Sequence, residues 1–133
     1  MLKSKTKVYG FHLDMYGHVN NARYLEFLEA ARWEFVAANV DFGDLDKLGI
    51  AFLVVNININ YRYPATLNQT LEIHTRMSHI SVKSARVNQL IFIEGTDKIV
   101  AEADVTFVII NARSQKVLPI RNEVRELIEN FQD

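Results

Sequence analysis

Apolar and polar positions change period along this chain, from helical to alternating. From Asn20 onward apolar residues recur at helical spacing: at 100° per residue, Tyr24, Leu28, Ala31 and Phe35 share one sector free of charge. Asn20 and Asn21 are favoured N-cap residues, so a long helix is expected from there to about Asn39. The rest of its wheel mixes Ala22, Leu25, Phe27, Ala30, Trp33 and Val36 with Arg23, Glu26, Glu29, Arg32 and Glu34, which predicts burial over most of the circumference. After Gly49 the period falls to two. Residues 51–63 read as a strand stopped by Pro64, and 70–80, 83–94 and 98–111 as three more, rich in Val, Ile, Thr and Phe. Gly95-Thr96-Asp97 and residues 111–114 supply turns.

At the ends, residues 3–11 read as a first strand, and 122–131 as a helix with Val124, Leu127, Ile128 and Phe131 on one face. Residues 44–48 read as a short helical turn closed by Gly49. One long helix followed by consecutive antiparallel strands predicts an α+β architecture, a curved antiparallel sheet wrapped around a central helix. No repeat or linker interrupts the chain, and its 133 residues fit a single domain over 1–133.

Composition narrows the function. Hydrophobic residues at 49% and charged residues at 23% exclude a disordered chain. A net charge of −1 leaves no basic footprint for nucleic acid and no polybasic membrane anchor. The absence of cysteine rules out thiolate catalysis, disulfides and cysteine metal sites. There is no signal-peptide h-region and no apolar run of membrane-spanning length, so the protein is expected in the cytoplasm. No P-loop, dinucleotide fingerprint or G-x-S-x-G elbow is present. The four histidines, His12, His18, His74 and His79, show no ligand spacing, so neither metal nor cofactor is expected.

The chemistry concentrates in residues 11–32, FHLDMYGHVNNARYLEFLEAAR. Asp14 sits in a short glycine-containing loop just before the long helix. In the plain reading it is a turn residue bonding its own backbone. In the functional reading it is a carboxylate beside unpaired N–H groups, which attract an oxyanion and suit acyl chemistry. His18 shares that loop. Alternation puts Asn56, Asn58, Asn60 and Arg62 on one strand face and Val55, Ile57, Ile59 and Tyr61 on the other. The amide row is either a solvated face or one that lines a polar site or a second subunit. Glu26 and Glu29, with Arg23 and Arg32 three residues away, fit intrahelical ion pairs.

These residues resemble the hotdog-fold thioesterases, the 4-hydroxybenzoyl-CoA thioesterase-like family, over nearly the whole chain. The resemblance is carried by Asp14-x-x-Gly17-His18-Val19-Asn20-Asn21-x-x-Tyr24, by the helix from Leu25 to Arg32, by Val54 to Arg62 (VVNININYR), and by Val105-Thr106-Phe107-Val108. It implies a long helix wrapped by an antiparallel sheet, and a homodimer with two sites at the subunit junction, often doubled to a tetramer. It implies Asp14 as catalytic carboxylate, nucleophile or general base, and the backbone N–H of Asn21 as the group polarising the thioester carbonyl. Several relatives carry His or Tyr where this chain has Asn21, so no acid–base role is carried over to that side chain. As members of the motif, His18 is carried over as a candidate catalytic residue and Tyr24 as a candidate substrate contact. Medium- to long-chain fatty acyl-CoA is the implied substrate, with acyl-carrier-protein thioesters and a non-catalytic acyl-CoA binder as alternatives. Asn58, Asn60, Arg62, Lys83 and Arg86 are the candidate substrate contacts, the cations for the phosphates of CoA.

Overall fold

Helix α1 (Asn21–Asn39) starts where the sequence offers a cap: the Asn20 side chain accepts from the Ala22 N–H at 2.9 Å. The computed structural model describes residues 1–131. Around α1 lie β1 (Leu2–Lys7), a 3-10 turn (Gly10–His12), α2 (Phe42–Leu48), β2 (Ile50–Tyr61), β3 (Thr70–Ile80), β4 (Ala85–Ile93), β5 (Ile99–Asn111), β6 (Val117–Leu118) and α3 (Asn122–Glu129). All strand pairs are antiparallel, in the order β1-β3-β4-β5-β2, with β6 added to β5. The α+β arrangement expected from the periodicity is the one observed.

Period two makes the sheet two-faced. Leu71, Ile73 and Thr75 of β3, Val87, Gln89 and Ile91 of β4, and Ala101, Ala103, Val105, Phe107 and Ile109 of β5 are buried. They meet Tyr24, Phe27, Leu28, Ala31 and Phe35 of α1 in one core. Burying a side chain such as Leu28 or Phe35 stabilises by roughly 1.5–3 kcal/mol. Ile128 of α3 and Phe131 just beyond it close the core, with the Phe131 ring 5.3 Å from that of Phe35. Gly49, at φ +67°, ends α2 in the left-handed region that favours glycine. Among the described residues no helix is long and apolar enough to cross a membrane.

Three details differ from the sequence expectation. First, α1 buries a stripe rather than most of its circumference: Leu25, Ala30, Trp33, Ala37 and Ala38 are exposed, because the sheet covers only one side. Second, β1 stops at Lys7; the Tyr9 N–H donates to His12 Nδ1 at 2.9 Å and the chain turns there instead of continuing to Phe11. Third, a bulge at Val55 interrupts the β2–β5 register between Val54–Phe107 and Asn56–Thr106. Val55 is therefore an exposed extra residue, while Ile57, Ile59 and Tyr61 keep their inward parity.

Candidate active site

The segment between Leu13 and Val19 closes on itself as a small bridged loop. The Asp14 N–H donates to the His18 carbonyl at 2.8 Å, and the Gly17 N–H to the Asp14 carbonyl at 3.1 Å. Gly17 sits at φ +79°, which a side chain resists. One carboxylate oxygen of Asp14, Oδ1, accepts from the Tyr16 N–H at 2.8 Å and the His18 N–H at 3.2 Å. Its other oxygen has no partner among the described residues. The loop is pinned from outside by Val19 N–H to the Ala65 carbonyl and Asn20 N–H to the His12 carbonyl, each 2.9 Å. The plain turn role is thus real, and it holds the carboxylate in place with one oxygen free.

The helix start beside this loop has one open donor. Ala22 N–H is taken by the Asn20 side chain and Arg23 N–H by the Asn20 carbonyl, but Asn21 N–H has no partner among the described residues. The Tyr61 hydroxyl donates to the Asn21 carbonyl at 3.2 Å, tying β2 to the first turn. Tyr24, 3% exposed, accepts from the Ala65 N–H at 3.2 Å through its hydroxyl and packs 5.4 Å from the Tyr61 ring. Burial raises the Tyr24 phenol pKa, the Ala65 N–H opposes this, and the charges of Tyr61 and Asp14 add to it. A neutral phenol therefore lies within electrostatic reach of the Asp14 carboxylate.

A second feature lies farther along α1. A cavity of about 420 Å³ opens between the helix and the sheet, walled by Trp33, Phe52, Val54, Met77, Phe107 and Phe131. Arg32 reaches its wall about 16 Å along the helix axis from Asn21, at 1.5 Å per residue. The Arg32 guanidinium donates through Nη1 to Gln89 Oε1 at 3.0 Å and makes no ion pair among the described residues. Gln89 is fully buried, and its Nε2 donates to the Leu28 carbonyl at 3.0 Å and to Thr75 Oγ1 at 3.1 Å. Burial lowers the Arg32 pKa, with the Glu29 charge acting against it.

The other candidates are scattered within one chain. Asn58 and Asn60 are exposed on the outer face of the sheet, opposite Asp104 and Glu102 and turned away from α1. Arg62 pairs with Glu102 at 3.1 Å. Lys83 is exposed in the β3–β4 turn and Arg86 on the outer face beyond it, at the strand ends remote from Asp14. Arg23 pairs with Glu26 at 3.1 Å as the helical spacing suggested, whereas Arg32 turns to Gln89 instead of Glu29. His18 is exposed and touches Asp14 through its backbone. His12 is buried, its ring edge-on to Phe27 at 4.9 Å. Among the described residues no group of three or more His, Asp or Glu is placed to hold a metal.

Sequence reading missed the cavity and the Arg32–Gln89–Thr75 network. The signal was there: alternation puts Gln89 inward between Val87 and Ile91, and an amide at a core position demands partners.

With this geometry in hand, the chain can be set beside known proteins. A family model described as the thioesterase-like superfamily matches residues 11–128. The long-chain acyl-CoA thioesterase FadM of Escherichia coli strain K12 is 46% identical over 98% of both chains. The crystal structure of YbaW, a probable thioesterase from Escherichia coli, superposes with a TM-score of 0.94 at 44% identity, covering 100% of both chains. The chloroplastic acyl-acyl carrier protein thioesterase ATL2 of Arabidopsis thaliana is 28% identical over 95% of this chain and 67% of its own.

Proposed function

The chain belongs to the thioesterase-like superfamily, and from that membership we propose that it is a cytoplasmic acyl-CoA thioesterase of fatty-acid metabolism. It hydrolyses medium- to long-chain fatty acyl-CoA to free fatty acid and CoA, with residues 1–133 acting as one domain. The observation that carries this reading is the Asp14 carboxylate, held by two backbone N–H groups with one oxygen free, in the loop that leads into the open Asn21 N–H. The likeness to FadM supports the choice of substrate.

The chemistry follows from that pair of groups. The thioester carbonyl oxygen accepts from the Asn21 N–H, where the positive end of α1 stabilises the charge that develops on attack. Asp14 attacks the carbonyl carbon, the C–S bond breaks, CoA leaves as thiolate, and water hydrolyses the acyl–Asp14 anhydride to fatty acid and carboxylate. In the variant route Asp14 takes a proton from water, whose oxygen attacks instead. His18 is a positioning residue in either route, through its N–H to Asp14. Tyr24 and Tyr61 keep the helix start in register with the loop. No step requires a metal or an organic cofactor.

The reading includes a homodimer. One edge of β2 pairs with β5, and the other, twelve residues long, has no partner among the described residues and displays Leu53, Val54 and Val55. Such an edge invites pairing. Antiparallel pairing with a second copy sets the Tyr61 end of one β2, which carries the Asp14 loop, beside the Ile50 end of the other, which carries the cavity. Two sites then form, each with chemistry from one subunit and an acyl pocket from its partner. The cationic Lys83 and Arg86 lie at the pocket end of the strands and Arg62 at the Asp14 end, flanking the path of CoA. The exposed amides Asn58 and Asn60 are left on the outer face, available to a second dimer.

The test is thiol release from a panel of acyl-CoA chain lengths. Turnover rising with chain length through the medium range supports the assignment. The relative ATL2 favours one alternative, a carrier-protein thioester; no turnover on any acyl-CoA, with turnover on acyl carrier protein, replaces the substrate.

A further inference from the structure

The 420 Å³ apolar cavity adjoins a second space. The second, a more open depression of about 370 Å³, lined by Ser78, His79, Arg125 and Glu129 among others, shares two lining residues with the first, Met77 and Phe131. One space is apolar and the other polar. Phe131 is 7% exposed and is held between Phe35 at 5.3 Å and Phe52 at 6.5 Å, ring centre to ring centre. Among the described residues, every other one lining the apolar cavity belongs to α1 or to a sheet strand; Phe131 alone follows α3, whose buried anchor is Ile128.

We infer that Phe131, with Met77 across from it, is the partition that sets the longest acyl chain this enzyme accepts. A saturated chain entering between α1 and the sheet gains stabilisation for each methylene that leaves water, about fourfold in affinity apiece, until it meets the Phe131 ring. Beyond that point further carbons have no apolar volume to enter. A smaller residue at either position joins the two spaces, so the end of a longer chain passes through toward the polar opening around His79 and Arg125. The core residues that shape the rest of the pocket need not move. This inference rests on the acyl-CoA thioesterase reading for its substrate, but not for its geometry.

The experiment compares wild type, Phe131→Ala, Met77→Ala and Phe131→Trp in two assays. Thiol release is measured on acyl-CoA from octanoyl to octadecanoyl, and binding of the matching free fatty acids by calorimetry. The Met77 variant opens the partition from the sheet side, so the test survives if the Phe131 variants fold poorly. The ratio of kcat/KM for octadecanoyl over decanoyl is expected to rise by about tenfold or more in both alanine variants and to fall in Phe131→Trp, the scale set by a few added methylenes. Fatty-acid binding should shift the same way. Length profiles that run parallel to wild type in both alanine variants overturn the partition. If wild type cleaves no acyl-CoA, the thioesterase reading fails by itself, and the fatty-acid binding profiles still decide whether Phe131 and Met77 limit chain length.

Discussion

Replacing Gln89 by Leu should destabilise the fold by about 2 kcal/mol, a figure that follows from what its amide touches. Gln89 and Thr75 are both fully buried. The amide satisfies the Thr75 hydroxyl, a second bond to the Leu28 carbonyl, and the Arg32 guanidinium. Leu has similar volume, so no cavity forms. The Leu28 carbonyl keeps its helical bond, and Arg32 is open enough to turn to water, so Thr75 bears most of the loss. A buried polar group left without a partner costs about 1–3 kcal/mol. At a urea slope of about 1–3 kcal/mol/M, the midpoint should fall by about 1 M with the slope unchanged. Adding Thr75→Val to Gln89→Leu removes the orphaned hydroxyl and should recover about half of the loss, as neighbouring, coupled sites do. A Gln89→Leu midpoint equal to wild type, or no recovery in the double variant, refutes the argument that this network is a stabilising unit.

Other consequences are as specific. Burial and the nearby Arg23 lower the His12 pKa, with Glu26 opposing, so folding favours the neutral ring. Its contribution is present above the ordinary value of 6.5 and is lost as pH falls below it toward the folded value. Urea midpoints of wild type should therefore drop more steeply with acid than those of His12→Gln; equal slopes contradict this. Gly17→Ala forces a side chain into φ +79° and should cost about 1 kcal/mol, with turnover falling because the Asp14 loop shifts. Light scattering should find no monomer at micromolar concentration; a fully active monomer rules out the proposed pairing across β2.

The fold was legible because its signals are local. The N-cap at Asn20, the glycine at 49 and the alternation from 70 to 80 place three elements within a residue or two of where they occur. What escaped was set by tertiary context. Outside the charge-free sector of Tyr24, Leu28, Ala31 and Phe35, the wheel of α1 mixes Ala, Leu and Trp with charges, so its composition cannot tell how far the covered face extends; the extent of the sheet decides that. The Val55 bulge depends on register with β5, which no single strand encodes. At the candidate site, Asp14 and Asn21, the first residue of α1, are seven residues apart and could be read together. Arg32 and Gln89 are joined across the core, and only the inward parity of Gln89 hinted at it.

Whether Asp14 performs the chemistry at the helix start is decided by Asp14→Asn, assayed for thiol release on the best acyl-CoA. The amide oxygen can still accept from the Tyr16 and His18 N–H groups, so the loop should keep its shape, as judged by an unchanged melting transition and unchanged acyl-CoA binding. An amide is a poor nucleophile and base, so turnover should fall by about 10²-fold or more. A variant that keeps more than about a tenth of the wild-type rate, a barrier change below ~1.4 kcal/mol, rules Asp14 out as the catalytic group.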